Sequence, residues 1–229
     1  MKLTVASYNI HAGIGYDQHF NMHRIATVIN ELNADIIALQ EVEHQLIEDE
    51  HLLQFITSQT DYTLISGITF KRGDYDYGNV VLSRYPVSQY HCHDLSMQDR
   101  EPRGLIEAHL KINNDDIIIM ATHLGLSPLE RRFQVQKIVS LLPVNNDKLT
   151  VLLGDLNEWV LWGRPLRWLK RYFKQSRNSA TFPAKWPLLS LDKIWVSPSS
   201  SLLDVYAHRS PLAKIASDHL PIVAKIKTI

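Results

Sequence analysis

The chain has 229 residues, with 24 lysines and arginines against 24 aspartates and glutamates, and is 45% hydrophobic. That balance excludes a disordered chain and provides no overall basic field for indiscriminate nucleic-acid binding. Its single cysteine, Cys92, excludes an internal disulfide and a cysteine-based zinc cluster, and no apolar run approaches membrane-spanning length. Residues 1–7 are too short and too quickly polar for a signal peptide, so a reducing, cytoplasmic location is the expectation. With no linker, repeat or low-complexity tract, residues 1–229 read as a single domain.

Leu3 to Tyr8 reads as a strand that ends at Asn9-Ile-His11, ahead of a loop carrying Gly13 and Gly15. Asn9 is either a loop cap or a ligand contact, and His11 reads as a surface histidine. Met22, Ile25, Ala26, Val28, Ile29 and Leu32 recur at helical spacing, so a helix is expected over 21–32 with Asn21 as its N-cap. Asp35 to Glu41 follows with a continuous apolar run, the mark of a strand buried on both faces, and delivers Glu41 at its end. Glu41 either caps a helix expected over 45–58 or is a metal ligand; helix caps are usually Asp or Ser, which favours the ligand.

Two strands are expected over 62–70 and 77–83, joined by a polar loop over 71–76. His91 and His93 flank Cys92 at strand spacing and, lacking further ligands nearby in sequence, read as a solvent-facing pair rather than a metal site. Glu101-Pro-Arg-Gly104 precedes a strand over 105–112; a hairpin turn over 113–116 and a return strand over 117–122 lead to His123. Arg103 is either a surface arginine held by Glu101 or a phosphate clamp, since a guanidinium fork takes two phosphate oxygens. Ser127, Pro128 and Glu130 supply the N-cap, first-turn proline and capping-box glutamate of a helix that runs to Leu142.

Val151 to Leu153 is a buried strand that stops at Gly154, and the next turn sets Asp155 and Asn157 side by side. Taken alone, this is ordinary turn chemistry. Residues 164–177 carry six basic side chains and no acidic one. Leu166, Leu169 and Phe173 fall on one helical face, Arg167, Lys170, Arg171 and Lys174 on the other, with Trp159, Trp162 and Trp168 in or beside the segment. Segment 159–177 is therefore either a core-covering helix with a solvated basic face or a patch for a membrane surface or an anionic substrate. A proline-rich loop over 181–187 leads to a strand over 192–197 headed by Asp192, and Asp218 and His219 stand just before the C-terminal strand.

Asn9, Glu41, His123, Asp155, Asn157, Asp192, Asp218 and His219 all lie at strand ends or entrances, far apart in sequence. Only a sheet fold could gather them, and several carboxylates in one cleft repel unless a hard divalent cation neutralises them. Carboxylate and amide oxygens suit Mg2+ or Mn2+, the setting for metal-assisted attack of water on phosphorus.

Six motifs, Ser7-Tyr-Asn-Ile10, Leu39-Gln-Glu-Val42, Ala121-Thr-His-Leu124, Gly154-Asp-Leu-Asn157, Leu191-Asp-Lys-Ile194 and Ser217-Asp-His-Leu-Pro221, appear in an order that resembles the endonuclease/exonuclease/phosphatase superfamily. Each is weak alone, and together they span nearly the whole chain. The superfamily includes pancreatic deoxyribonuclease, apurinic endonucleases, inositol-polyphosphate 5-phosphatases and neutral sphingomyelinases; Arg103 in Glu-Pro-Arg-Gly resembles its small bacterial members. The resemblance implies an α/β fold, a four-layer αββα sandwich of two packed mixed β-sheets with helices outside and a cleft at one edge. It implies a Mg2+-dependent phosphoesterase in which Glu41, aided by Asn9, holds the cation. Asp155 and Asn157 would position water and phosphate, and Asp218 would serve the metal or a second site. His219, oriented by Asp192, would act as general base or stabilise phosphoryl charge, while His123 and Arg103 contact phosphate oxygens. His11 departs from the family pattern, standing where several nuclease members carry an acidic residue, which puts a two-metal mechanism in doubt. Phosphodiester and phosphomonoester cleavage stay open, as do nucleic acid, phospholipid headgroup and small phosphoester as substrate; no obligate protein partner is implied. The alternatives are a membrane-surface phospholipid phosphodiesterase or lipid-contacting module using 159–177, and a catalytically inactive binding module on the same fold. Retention of every charged position argues against the last.

Overall fold

Strand pleating sends alternate side chains to opposite faces, so the apolar residues of each strand divide between two interfaces. The computed structural model describes residues 1–47, 50–113, 115–144, 148–160, 162–174 and 178–228. In chain order, β1 (Lys2–Asn9) leads through a short 3-10 turn to α1 (Met22–Leu32), whose first turn is closed by the Asn21 side chain accepting from the Arg24 N–H. The strand β2 (Ile36–Glu43) is followed by a small hairpin, β3 (Leu46–Ile47) and β4 (Glu50–His51), and by α2 (Leu52–Ser58). Of the helix expected over 45–58, residues 52–58 are helical, while Leu46 and Ile47 pair with His51 and Glu50; residues 48 and 49 lie outside the described residues. Next come β5 (Thr63–Arg72) and β6 (Tyr75–Ser83), whose ladder continues to Arg72 and Tyr75; the loop expected over 71–76 shrinks to Gly73 and Asp74, with Gly73 at φ +61°.

The chain continues through β7 (Val87–Asp94), β8 (Gly104–Ile112) and β9 (Asp115–His123); the hairpin turn expected over 113–116 includes residue 114, which lies outside the described residues. Then come α3 (Pro128–Leu141), with the capping box of Ser127 and Glu130 formed, and β10 (Leu149–Asp155). The helix α4 (Arg164–Phe173) buries Leu166, Leu169 and Phe173 and exposes Arg167, Lys170 and Arg171, as its spacing predicts; residues 175–177 of the basic segment lie outside the described residues. The chain ends with β11 (Asp192–Ser197), β12 (Leu202–Ala207), α5 (Ala213–Ala216) and β13 (Ile222–Lys227).

Two mixed sheets result, one in the order β12-β13-β1-β2-β6-β5 and one in the order β11-β10-β9-β8-β7. Three apolar clusters correspond to the three interfaces of a four-layer sandwich. Leu3, Val5, Ile36, Ala38, Ile119, Val151, Leu153, Ile194 and Ala224 fill the space between the sheets. Ile25, Ile29 and Phe55 pack with Tyr8, Ile37 and Leu39 on the outer face of the first sheet. Val135, Ile138, Leu166 and Phe173 pack with Met120, Leu152 and Trp195 on the outer face of the second. This is the expected αββα arrangement. Among the described residues no helix is long and apolar enough to cross a membrane.

Candidate active site

The alternation that builds the inter-sheet core also builds the site. Along β1 the inward residues run Leu3, Val5, Ser7, Asn9; along β9, Ile117, Ile119, Ala121, His123; along β10, Leu149, Val151, Leu153, Asp155; and back along β11, Val196, Ile194, Asp192. At one end of the sandwich the last inward residue of each of these strands is polar. Register then sets them shoulder to shoulder: Asp155 pairs with His123 on β9 and with Asp192 on β11.

Asp155 is the hub. Its Oδ2 accepts from Asn9 Nδ2 at 3.1 Å and lies 3.6 Å from His123 Nε2 and 3.7 Å from His219 Nε2, while its Oδ1 accepts from the Asn157 N–H at 2.9 Å. The turn that places it depends on Gly154, at φ +147°, where a Cβ would stand 1.8 Å from the Thr122 carbonyl oxygen. Asn157 occupies the left-handed region at φ +50°, which Asn tolerates. Glu41 does so at φ +57°, inside an irregularity of the β2–β6 ladder between Leu39 and Val42. A glutamate held there is strained, and such strain concentrates at functional sites.

Asn9 joins two carboxylates, since its Nδ2 also donates to Glu41 Oε1 at 2.9 Å. Its own Oδ1 accepts from the His11 N–H at 3.0 Å, so it presents nitrogen, not oxygen, to Glu41 and Asp155. Two anionic oxygens therefore converge on the Asn9 amide nitrogen, and carboxylate oxygens gathered this closely suit a hard divalent cation. Asp155, Asp192 and His219 also bring ligand atoms within 4.8 Å of one another. That trio could ligate a cation only with His219 neutral, because an imidazolium has no free lone pair. Asp218 stands outside it, half-exposed, with Oδ1 3.8 Å from the half-exposed His11 Nδ1.

The two imidazoles differ by environment. Burial works against a charged His219, but the Asp192 carboxylate at 2.9 Å from Nδ1, with Asp155 and Asp218, outweighs it and pushes the ring up to about 10. His123 has Arg103 Nη1 at 3.2 Å from Nδ1 and Asn157 Nδ2 at 3.1 Å from Nε2; a neutral ring accepts through one nitrogen only, and accepting from the Arg103 cation at Nδ1 leaves its single proton on Nε2, the nitrogen facing Asp155. Burial and the Arg103 charge push it down to about 3, against the pull of Asp155. Arg103 is 8% exposed, its Nη1 also 3.0 Å from Glu101 Oε1, and its buried Nε has no partner. Glu101 thus anchors Arg103, but at a buried position rather than on the surface.

The structure brings Asn9, Glu41, Arg103, His123, Asp155, Asn157, Asp192 and His219 into one connected network, with Asp218 at its margin. Sequence reasoning missed three supports. Thr181 donates to Asp192 Oδ2 at 2.5 Å, the Phe182 ring lies 4.9 Å from that of His219, and Ser217 Oγ donates to the Asn9 carbonyl at 2.8 Å while accepting from the His219 N–H at 3.2 Å. Thr181 and Phe182 sit in a loop whose composition signals only a turn, and nothing local announces their long-range partners.

The sequence pattern that describes the endonuclease/exonuclease/phosphatase family matches residues 6–219. The chain belongs to that family. Its members generally hydrolyse phosphoester bonds, generally with a divalent metal. The chain is 29% identical over a 249-residue alignment, 97% of its own length and 95% of the other's, to the uncharacterized protein YbhP of Escherichia coli (strain K12). Among solved structures it resembles a functionally unknown conserved protein from Enterococcus faecalis V583, with a TM-score of 0.79 at 18% identity, covering 99% of this chain and 100% of that one. It also resembles D. rerio TDP2 complexed with single strand DNA product, with a TM-score of 0.71 at 17% identity and 99% coverage of both chains. At those identities the likeness shows the fold.

Proposed function

We propose that this chain is a Mg2+-dependent phosphoesterase, with Mn2+ as an alternative cation, that cleaves a phosphodiester or phosphomonoester by attack of water on phosphorus. The observation that carries the reading is the setting of Asp155: one carboxylate oxygen faces a charged and a neutral imidazole, with an amide bridging it to Glu41. Glu41 and Asp155 would hold the cation, with Asp218 available at the margin. When bound, it screens phosphate charge and lowers the barrier to attack. Asp155 and Asn157 orient the incoming water. His219, kept protonated by Asp192, donates from Nε2 to the phosphoryl oxygens; the raised pKa favours this charge-stabilising role over that of general base. The Arg103 guanidinium and the one N–H of neutral His123 add donors for phosphate oxygens.

A metal-dependence screen tests this. Purified protein is assayed on bis-p-nitrophenyl phosphate, p-nitrophenyl phosphate, single-stranded DNA, RNA and phospholipid vesicles, with Mg2+, Mn2+ or EDTA, beside His219→Ala and Asp155→Ala. Turnover that needs both the cation and these residues is expected. Activity that persists in EDTA or in folded Asp155→Ala would reject the assignment.

A second reading concerns where the substrate is met. Trp159, Trp162, Trp186 and Leu188 are 52%, 77%, 71% and 81% exposed, in the segments that follow the Asp155 turn and precede the Asp192 strand, and the first two lead directly into α4 with its basic face. Large exposed apolar side chains beside cations suit a substrate presented at an anionic lipid surface. Vesicle sedimentation with Arg167, Lys170 and Arg171 reversed to Glu decides it; undiminished binding would exclude that surface.

A further inference from the structure

On β7 and β8 the outer face carries a second group of chemistry-bearing side chains, remote in kind from the carboxylate cleft. Gln89, His91 and His93 share one face of β7, and Leu105, Glu107 and His109 share the same face of β8, with His91 directly opposite Glu107. The further ligands that are missing near His91 and His93 in sequence are supplied across the ladder. Cys92 points to the opposite face, where its Sγ approaches the Ser66 carbonyl of the other sheet at 3.8 Å, and takes no part.

Glu107 ties the group together. Glu107 accepts from His93 Nε2 and from His109 Nε2, each at 2.7 Å, one on each carboxylate oxygen. The His91 ring stands 6.1 Å from that of His93 and 6.5 Å from that of His109. Both flanking imidazoles and the carboxylate keep access to solvent, at 26%, 28% and 16% side-chain exposure, and His91 is exposed. In this arrangement hydrogen bonds hold the group together. A cation replaces them when an imidazole lone pair and a carboxylate oxygen turn toward one centre, and His91, now 2.6 Å from Gln89 through Nε2, completes the set by exchanging that surface contact for the cation.

We propose that His91, His93, Glu107 and His109 form a second metal site, which takes a borderline transition cation of the Zn2+ type. Three imidazoles with one carboxylate prefer Zn2+, Cu2+ or Ni2+ to Mg2+, whereas the oxygen-rich cleft has the reverse preference. The two sites are therefore separable by ion. A cation held across β7 and β8 would also staple an edge strand to its neighbour in the sheet.

The test is calorimetric titration of Zn2+ into the full chain with the cleft saturated by excess Mg2+. Wild type is expected to bind one equivalent. The His91→Ala/His109→Ala double variant and Glu107→Gln are expected to bind at least tenfold more weakly, while Asp155→Asn keeps that equivalent unchanged. Zn2+ should raise the melting temperature of wild type and leave that of the double variant unmoved. Co2+ substitution supplies an independent readout, a visible d–d absorption that the double variant loses. Equal Zn2+ stoichiometry and affinity in wild type and the folded double variant would overturn the proposal. So would loss of the equivalent in Asp155→Asn, or no stoichiometric Zn2+ binding by wild type. The substituted side chains are solvent-accessible, and circular dichroism of each variant checks folding.

Discussion

Asp192→Asn removes the charge that holds His219 protonated while preserving size and a hydrogen-bonding edge for Thr181. Asp192 is fully buried and accepts from Thr181 at 2.5 Å and from His219 at 2.9 Å. The His219 pKa is raised on folding, so its contribution to stability is complete below the ordinary imidazole value of 6.5 and is lost as pH rises through about 10. Between those limits the linked stabilisation is about 4 kcal/mol at pH 7 and under about 1 kcal/mol at pH 10. Asp155 and Asp218 still face the ring in the variant, so 4 kcal/mol is the upper bound of the loss. Urea unfolding of both proteins at a series of pH values from 6 to 10 measures it. The stability gap between wild type and variant should be widest at the acid end of the series and close steadily toward pH 10. At pH 7 turnover should fall by about 10²–10³, the scale expected when one preorganised donor to developing charge is lost. A gap that stays constant with pH would show that Asp192 acts through packing or Thr181 alone, and would refute the charge argument.

Glu41→Gln should leave the fold intact yet raise the Mg2+ concentration needed for half-maximal activity by at least about tenfold, since a neutral amide replaces one of two converging anions; an unchanged Mg2+ titration would remove Glu41 from the cation site. Arg103→Lys keeps the charge but forfeits the free Nε and the planar fork. Its kcat/KM on a phosphoester substrate should drop about 10- to 100-fold with little change in unfolding midpoint, and a wild-type value would return Arg103 to a purely structural role. Gly154→Ala combines a Cβ 1.8 Å from the Thr122 carbonyl with a φ of +147°. It should destabilise by more than about 3 kcal/mol, as overpacking and backbone strain add; a soluble variant with a wild-type urea midpoint would contradict the geometry.

Much of the site was legible because its residues are a continuation of the core pattern. The alternation of Leu149, Val151, Leu153 and Asp155, and of Ile117, Ile119, Ala121 and His123, is written in the chain, so the face on which each polar residue falls follows from parity alone. Motif order supplied the family, and with it the four layers. The helical face of α4 and the capping box of α3 were likewise local matters of spacing. Pairing was not local. That Asp155 lies beside both His123 and Asp192 is set by strand register, a property of two distant segments at once. The opposite pKa shifts of His219 and His123 are tertiary too: the same side chain is charged beside a buried carboxylate and neutral between an arginine and an amide. Thr181 and Phe182 read as loop residues until the fold carries them onto Asp192 and His219. His91 and His93 gained Glu107 and His109 only when β7 paired with β8. The sequence by itself determined which side chains of the site strands face inward and that each of those strands ends in a polar group. Only the tertiary structure decided which of them share a space, because burial, register and mutual charge arise between segments that the chain keeps apart.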